Sequence, residues 1–227
     1  MLGVFLPERC LHCDRATVRS ETGGKEWVHR YLCPVCYRIL ESADEPEERD
    51  VRDQFYRVAS GIALRHTRAA YTFLAESPVQ SLVHAMKYSG MPRLAKYFGR
   101  SIATLVPQPA EMIVPVPLHR TRLAERGYNQ AEALAHGVAR SVAANVVPAV
   151  KRIRPTPSQT SLSITERIEN VRGAFALTRD SARVTGKHVL LVDDVMTTGA
   201  TLSSVAETLH DARPKSISVL TLAAAML

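Results

Sequence analysis

The chain has 227 residues, 46% of them hydrophobic and 22% charged, with a net charge of +7 and a pI near 9.5. That length buries a full core with room for a small appendage, and the ordinary balance of apolar and charged residues excludes a disordered or fibrous chain. No apolar run reaches the roughly eighteen residues a membrane span needs. The leading MLGVFLPERC is too short and turns polar too soon for a secretory signal, so the cytoplasm is the expected compartment.

All four cysteines fall early, as Cys10-x2-Cys13 and Cys33-x2-Cys36 with nineteen residues between the pairs. Each pair fits a tight knuckle with both sulfurs turned inward, and two knuckles supply the four thiolates of a tetrahedral zinc site. Disulfides would need an oxidising compartment, and a redox C-x-x-C explains one pair but not two. His12 and His29 lie close enough to replace one ligand. So short a segment buries little core, and metal would supply most of its folding free energy. A division follows into a zinc module over residues 1–45 and a larger domain over 46–227.

Glu41 to Asp53 is acidic and reads as a linker. Beyond it, Ile62 to Leu74 shows two short β-like runs, and Ser77 opens a helix carrying Val79, Leu82, Val83 and Met86. Pro92 starts a further helix with Leu94, Tyr97, Phe98, Ile102 and Leu105 at helical spacing. Glu111 to Pro117 reads as a strand entering a loop, PVPLHRTRLAERGYNQ. Its Arg120, Arg122 and Arg126 suit bidentate capture of a pyrophosphate. Asn129 to Ala143 is a helix, and strands are expected near Val146–Val150, Ala174–Leu177 and Ser216–Leu222. Arg154 to Phe175, with two prolines and many hydroxyls, suits a mobile loop over bound ligand. Alternating strands and helices predict an α/β fold with a doubly wound, mainly parallel sheet, whose ligands sit at the carboxyl ends of the strands.

The segment VLLVDDVMTTGATL, Val189 to Leu202, carries the most chemistry. Val189 to Val192 has no polar alternation and predicts a strand buried on both faces. Two aspartates follow, then the turn Thr197, Thr198, Gly199, Ala200 and Thr201, then an amphipathic stretch to about Asp211. A helix N-terminus flanked by hydroxyls suits a phosphate, while Asp193 and Asp194 suit ribose hydroxyls and a magnesium ion bridging to phosphate oxygens. Lys87, in MKYSG, ends a helix aimed at the same part of the sheet. Positive charge also gathers in Arg140, Lys151, Arg152, Arg154, Arg167 and Arg172, which suits a pyrophosphate pocket, nucleic-acid phosphates, or both.

The VDDVMTTGATL segment resembles the signature of type I phosphoribosyltransferases, which bind 5-phosphoribosyl-1-pyrophosphate with magnesium. The resemblance implies that Asp193 and Asp194 face the ribose, and that Met196 to Thr201 form the loop holding the 5-phosphate. Purine salvage members carry an aspartate where this chain has Thr197, and threonine is no general base near neutral pH, so transfer would need another base or a competent amine. The four-cysteine module, HAMKYSG, VPVPLHRTRLAERGYNQA, the Arg154 to Phe175 segment and VDDVMTTGATL together resemble the ComF family. That resemblance implies a role in natural transformation, with single-stranded DNA and DNA-uptake proteins as partners. Among the aromatics Tyr88, Tyr97, Phe98 and Tyr128 some are candidates for base stacking, although most aromatics at helical spacing are core. Three readings stay open: a DNA-uptake factor with a phosphoribosyl-pyrophosphate pocket, an active transferase, and a zinc-stabilised adaptor with a vestigial pocket.

Overall fold

Pro34, Pro78 and Pro92 sit in the first turns of three helices, where a missing N–H costs nothing, and they punctuate the first half of the chain. The structure is a computed structural model that describes residues 9–17, 29–59, 61–155 and 164–226. In chain order, α1 spans Pro34–Glu41, α2 Glu48–Tyr56, β1 Leu64–Thr72, α3 Pro78–Tyr88, α4 Pro92–Ser101, β2 Met112–Pro115, α5 Arg120–Arg126, α6 Gln130–Val142 and β3 Asn145–Val146. Then come β4 Val150–Arg152, α7 Ile164–Val171, β5 Phe175–Leu177, β6 His188–Met196, α8 Ala200–His210 and β7 Ser216–Ala224. Side-chain caps fix two of the helix starts: Ser77 Oγ accepts from the Gln80 N–H at 3.2 Å, and Asn129 Oδ1 from the Ala131 N–H at 3.1 Å.

Five strands pair in the order β1-β7-β6-β2-β3, every neighbour parallel. Val192 stands level with Pro115 on one side and Leu220 on the other, so the strand ending in Asp193 and Asp194 lies near the middle of the sheet. Leu190 and Val192 pack with Leu82, Phe98 and Leu134 of α3, α4 and α6, while Leu191 packs with Phe55, Leu202 and Val205 of α2 and α8. Helices therefore cover both faces, and the sheet is doubly wound. Tyr31, Leu32, Cys36 and Leu40 of the cysteine segment join the α3/α4/α6 cluster. Where α4 crosses α6, Gly99 meets Gly137: a Cβ on either would fall 2.1 Å from the Leu134 carbonyl or 2.3 Å from that of Lys96.

Four expectations need correction. Ile62 to Leu74 holds one strand, not two: β1 spans Leu64–Thr72 and pairs with β7 throughout, with a register shift between Leu64 and Thr67. The second half of the acidic linker is α2, whose Val51, Gln54 and Phe55 are buried while Arg49, Asp50, Arg52 and Asp53 face out and Glu48 turns to β1. The strand expected at Val146–Val150 splits around Pro148, which has no N–H for a ladder, and β4 turns away to pair antiparallel with β5. The Arg154 to Phe175 segment contains α7; residues 156–163, on which the mobile-loop expectation mainly falls, lie outside those described.

Candidate functional site

The strand β6 continues through the two aspartates, so each carboxylate is held by the sheet rather than by a loop. Asp193 is 8% and Asp194 3% exposed. Both side chains fold along the strand: Asp193 Oδ1 accepts the Asp194 N–H at 2.8 Å and Asp194 Oδ1 the Val195 N–H at 2.8 Å. The two carboxyl groups also hydrogen-bond to each other, so the pair stays in contact. Asp194 turns to the α3 side, where Lys87 Nζ lies 3.1 Å from its Oδ2. The negative charge of Asp193 acts on Arg152 at the end of β4, whose guanidinium is stacked 5.4 Å from the Phe175 ring.

Electrostatics follow from this burial. Loss of solvent, and then repulsion from Asp194, push the Asp193 carboxyl well above the usual carboxylate range, against the pull of the Asp194 N–H and Lys87. Burial and then the Asp194 charge push the Tyr128 phenol up to about 12, and its hydroxyl donates to the Met86 carbonyl. Among the described residues one ammonium, that of Lys87, contacts the pair, and a divalent cation would relieve the repulsion between the two carboxyl groups. The donors are carboxylate oxygens, which suits magnesium.

Beyond Met196 the chain turns at Gly199, whose φ of +82° is a left-handed conformation that a side chain would strain, and enters α8. Thr198 is buried and its Oγ1 accepts from the Ala200 N–H at 3.4 Å. The Met196 side chain is wholly buried in the α2/α8 cluster, so its backbone alone borders the turn. Thr197 and Thr201 are partly exposed at the helix N-terminus, where the helix dipole favours an anion.

The three arginines approach the site unevenly: Arg120 lines a cavity with Arg152, and the charge of Arg122 also acts on Arg152. They share the seven-residue α5, on which Arg122 and Arg126 lie about 40° apart around the axis while Arg120 projects elsewhere. Arg122 pairs with Glu125 at 2.9 Å. Arg126 donates to Gln130 Oε1 at 2.9 Å and stacks 5.3 Å from the centre of the exposed Tyr88 ring, which brings it beside Lys87. Arg120 lines a cavity of about 420 Å³ with Pro117, Lys151, Arg179 and the Arg152 on which Asp193 acts. Of the aromatics expected to stack on bases, Tyr88 is 66% exposed, whereas Phe98 is core and Tyr97 and Tyr128 are partly buried. Two residues near the site carried no signal in the sequence: Gln54, whose Nε2 donates to the Thr197 carbonyl, and Arg152, singled out only as general positive charge.

At the other end of α3, the Sγ atoms of Cys10, Cys13, Cys33 and Cys36 all lie within 4.8 Å of one another, and Cys13 and Cys33 are 3.6 Å apart. A tetrahedral zinc–thiolate site places its sulfurs about 3.8 Å apart, so the donor set fits zinc. The Cys33 thiol is held down to about 7, chiefly by the Cys36 N–H, which favours the thiolate a metal requires. His12 is not part of the cluster: its Nδ1 lies 3.0 Å from Ser81 Oγ on α3, and His29 stacks edge-on to Tyr37 at 4.4 Å.

Residues 123–226 match the family model for the phosphoribosyl transferase domain. Competence protein F of Haemophilus influenzae is 28% identical over 234 residues, covering 97% of this chain and 99% of that one. DNA utilization protein YhgH of Escherichia coli is 33% identical over 211 residues, 88% of this chain and 83% of its own. Competence protein ComFC of Bacillus subtilis is 26% identical over 204 residues, 88% and 77% of the two chains.

Proposed function

The chain belongs to the ComF family, and we propose that it binds phosphoribosyl pyrophosphate with magnesium and acts in the handling of DNA taken up by the cell. The observation that carries this reading is the buried Asp193–Asp194 pair on a central strand, followed at once by a hydroxyl-rich turn into a helix N-terminus. Here Thr197, Thr198, Gly199, Ala200 and Thr201 take the 5-phosphate, and Asp193 and Asp194 orient the ribose hydroxyls. When bound, magnesium neutralises ligand oxygens beside these carboxylates. Lys87 holds Asp194 in the free protein and stands within reach of the ligand once the cation arrives. Arg122 and Arg126 face the pyrophosphate, and Arg120 extends the positive surface toward Lys151 and Arg152.

The names of the relatives support a role in competence or DNA use. Single-stranded DNA is the partner that fits the net charge of +7 and the exposed Tyr88 with Arg126 stacked on it. Residues 1–45 form the zinc-held part and 46–227 the ligand-binding part. Thr197 offers no general base, so ligand binding rather than transfer is the activity that these residues support.

Thermal unfolding tests the reading. A ligand that binds only the folded chain at a hundred times its Kd adds about 2.7 kcal/mol, or about 5–10 °C for a chain of this size. That rise is expected with phosphoribosyl pyrophosphate and magnesium together. An equal rise with magnesium alone, or none at all, contradicts the proposal.

A further inference from the structure

Gln54 of α2 occupies the junction where β6 and β7 end. It is 2% exposed, and its Nε2 donates both to the Thr197 carbonyl and, at 2.5 Å, to the Ala225 carbonyl. The amide cannot be turned round, because Oε1 would then face two carbonyl oxygens. Oε1 itself is buried without a hydrogen-bond partner. A buried acceptor left unmatched is a cost, and the residue bears it while placing its donor on the turn.

The helix carrying Gln54 is fixed along its length. Glu48 Oε1 accepts the Thr67 N–H at 3.2 Å, Thr67 Oγ1 donates to the Glu48 carbonyl at 3.3 Å, and Val51 and Phe55 are wholly buried. The turn lies directly on this helix: a Cβ at Gly199 would fall 3.2 Å from Phe55 Cα and 3.4 Å from Val58 Cγ2. The planar trans peptide between Thr197 and Thr198 sets its N–H opposite its carbonyl. With the carbonyl held down onto Gln54, the Thr198 N–H is turned away from α2.

We infer that Gln54 is a positioning residue for the anion site: by anchoring the Thr197 carbonyl it keeps the Thr197–Thr198 peptide in the orientation that offers N–H rather than C=O to a phosphate. The inference rests on the phosphate reading of this turn. Released from Gln54, the peptide is free to flip, and the carbonyl it then presents repels the anion. The residue touches no ligand and acts through the backbone alone.

Gln54→Met keeps the length and apolar packing and removes both donated hydrogen bonds; Gln54→Asn keeps the polarity and withdraws the donor by one methylene. Each full-length, zinc-loaded variant is titrated with phosphoribosyl pyrophosphate and magnesium, and amide hydrogen exchange is followed at Thr198 to Thr201. The expected result is a loss of affinity of roughly tenfold to a hundredfold. Faster exchange confined to those amides should accompany it, with β1 and β7 still protected. A residue that only fills space would instead lower stability throughout and leave affinity intact. Wild-type binding matched within about twofold by the folded variants overturns the positioning role alone. A wild type that binds no phosphoribosyl pyrophosphate overturns the phosphate reading and this role with it.

Discussion

Replacing Lys87 with methionine removes the ammonium that lies on Asp194, the one such contact among the described residues. The two groups are 3.1 Å apart, with 23% of the Lys87 side chain and 5% of the Asp194 side chain exposed. At an effective dielectric of about 20 the bare attraction is about 5 kcal/mol, most of it offset by the cost of removing both charges from water. Truncating one partner of a fully buried pair costs about 3–5 kcal/mol. Water reaches the lysine end, which lowers the expectation to about 2–3 kcal/mol, or a fall of about 4–12 °C in Tm for a chain of this size. The assay is a double-mutant cycle by thermal or urea unfolding at neutral pH, using Lys87→Met, Asp194→Asn and the two combined. With the carboxylate already neutral, losing the ammonium should cost under about 1 kcal/mol, so the coupling should exceed about 1 kcal/mol. Effects that add within about 0.5 kcal/mol would show that Lys87 does not compensate Asp194 and would refute the electrostatic account of this site.

Three further outcomes are expected. Cys33→Ser should lose the one bound zinc per chain measured by metal analysis and loosen the α1–α3 contact, whereas a stable wild type carrying no metal would contradict the zinc assignment. Gly99→Ala forces α4 from α6, since its methyl would meet the Leu134 carbonyl at 2.1 Å, and should cost about 1–3 kcal/mol in denaturant unfolding; an unchanged midpoint would mean the helices part freely. Burial alone would raise the Glu48 pKa, but hydrogen bonds from His66 and the Thr67 N–H and the charge of Arg68 hold it below the usual value. Its stabilisation is therefore present above the unfolded pKa and lost as pH falls through the lower folded one. Glu48→Gln should flatten that acid limb of the stability curve.

The central βα unit was legible because its physics is local. An unbroken apolar run reads as a strand buried on both faces, and Thr-Thr-Gly before an amphipathic stretch reads as a turn into a helix. The cysteine spacing was equally readable, since two knuckles fix four sulfurs whatever the fold around them. What escaped was tertiary. Of α2, the sequence offers mainly charges, most of which face solvent, and Gln54 meets backbone carbonyls 143 and 171 residues away. Arg120, Arg122 and Arg126 read as one cluster in a linear segment, whereas in the structure Arg126 stacks on Tyr88 and Arg120 and Arg122 lie toward Arg152. The adjacent aspartates read as a pair and stay one, their carboxyl groups hydrogen-bonded to each other, while Lys87 and Arg152, which meet their charges, come from distant segments.

The most direct test of the central claim is calorimetric titration of the zinc-loaded protein with phosphoribosyl pyrophosphate, with and without magnesium, beside the Asp193→Asn, Asp194→Asn double variant. Saturable binding that requires magnesium and disappears in the folded double variant is the predicted result. Binding that is indifferent to magnesium and to both aspartates, or no binding by the wild type, would contradict the account.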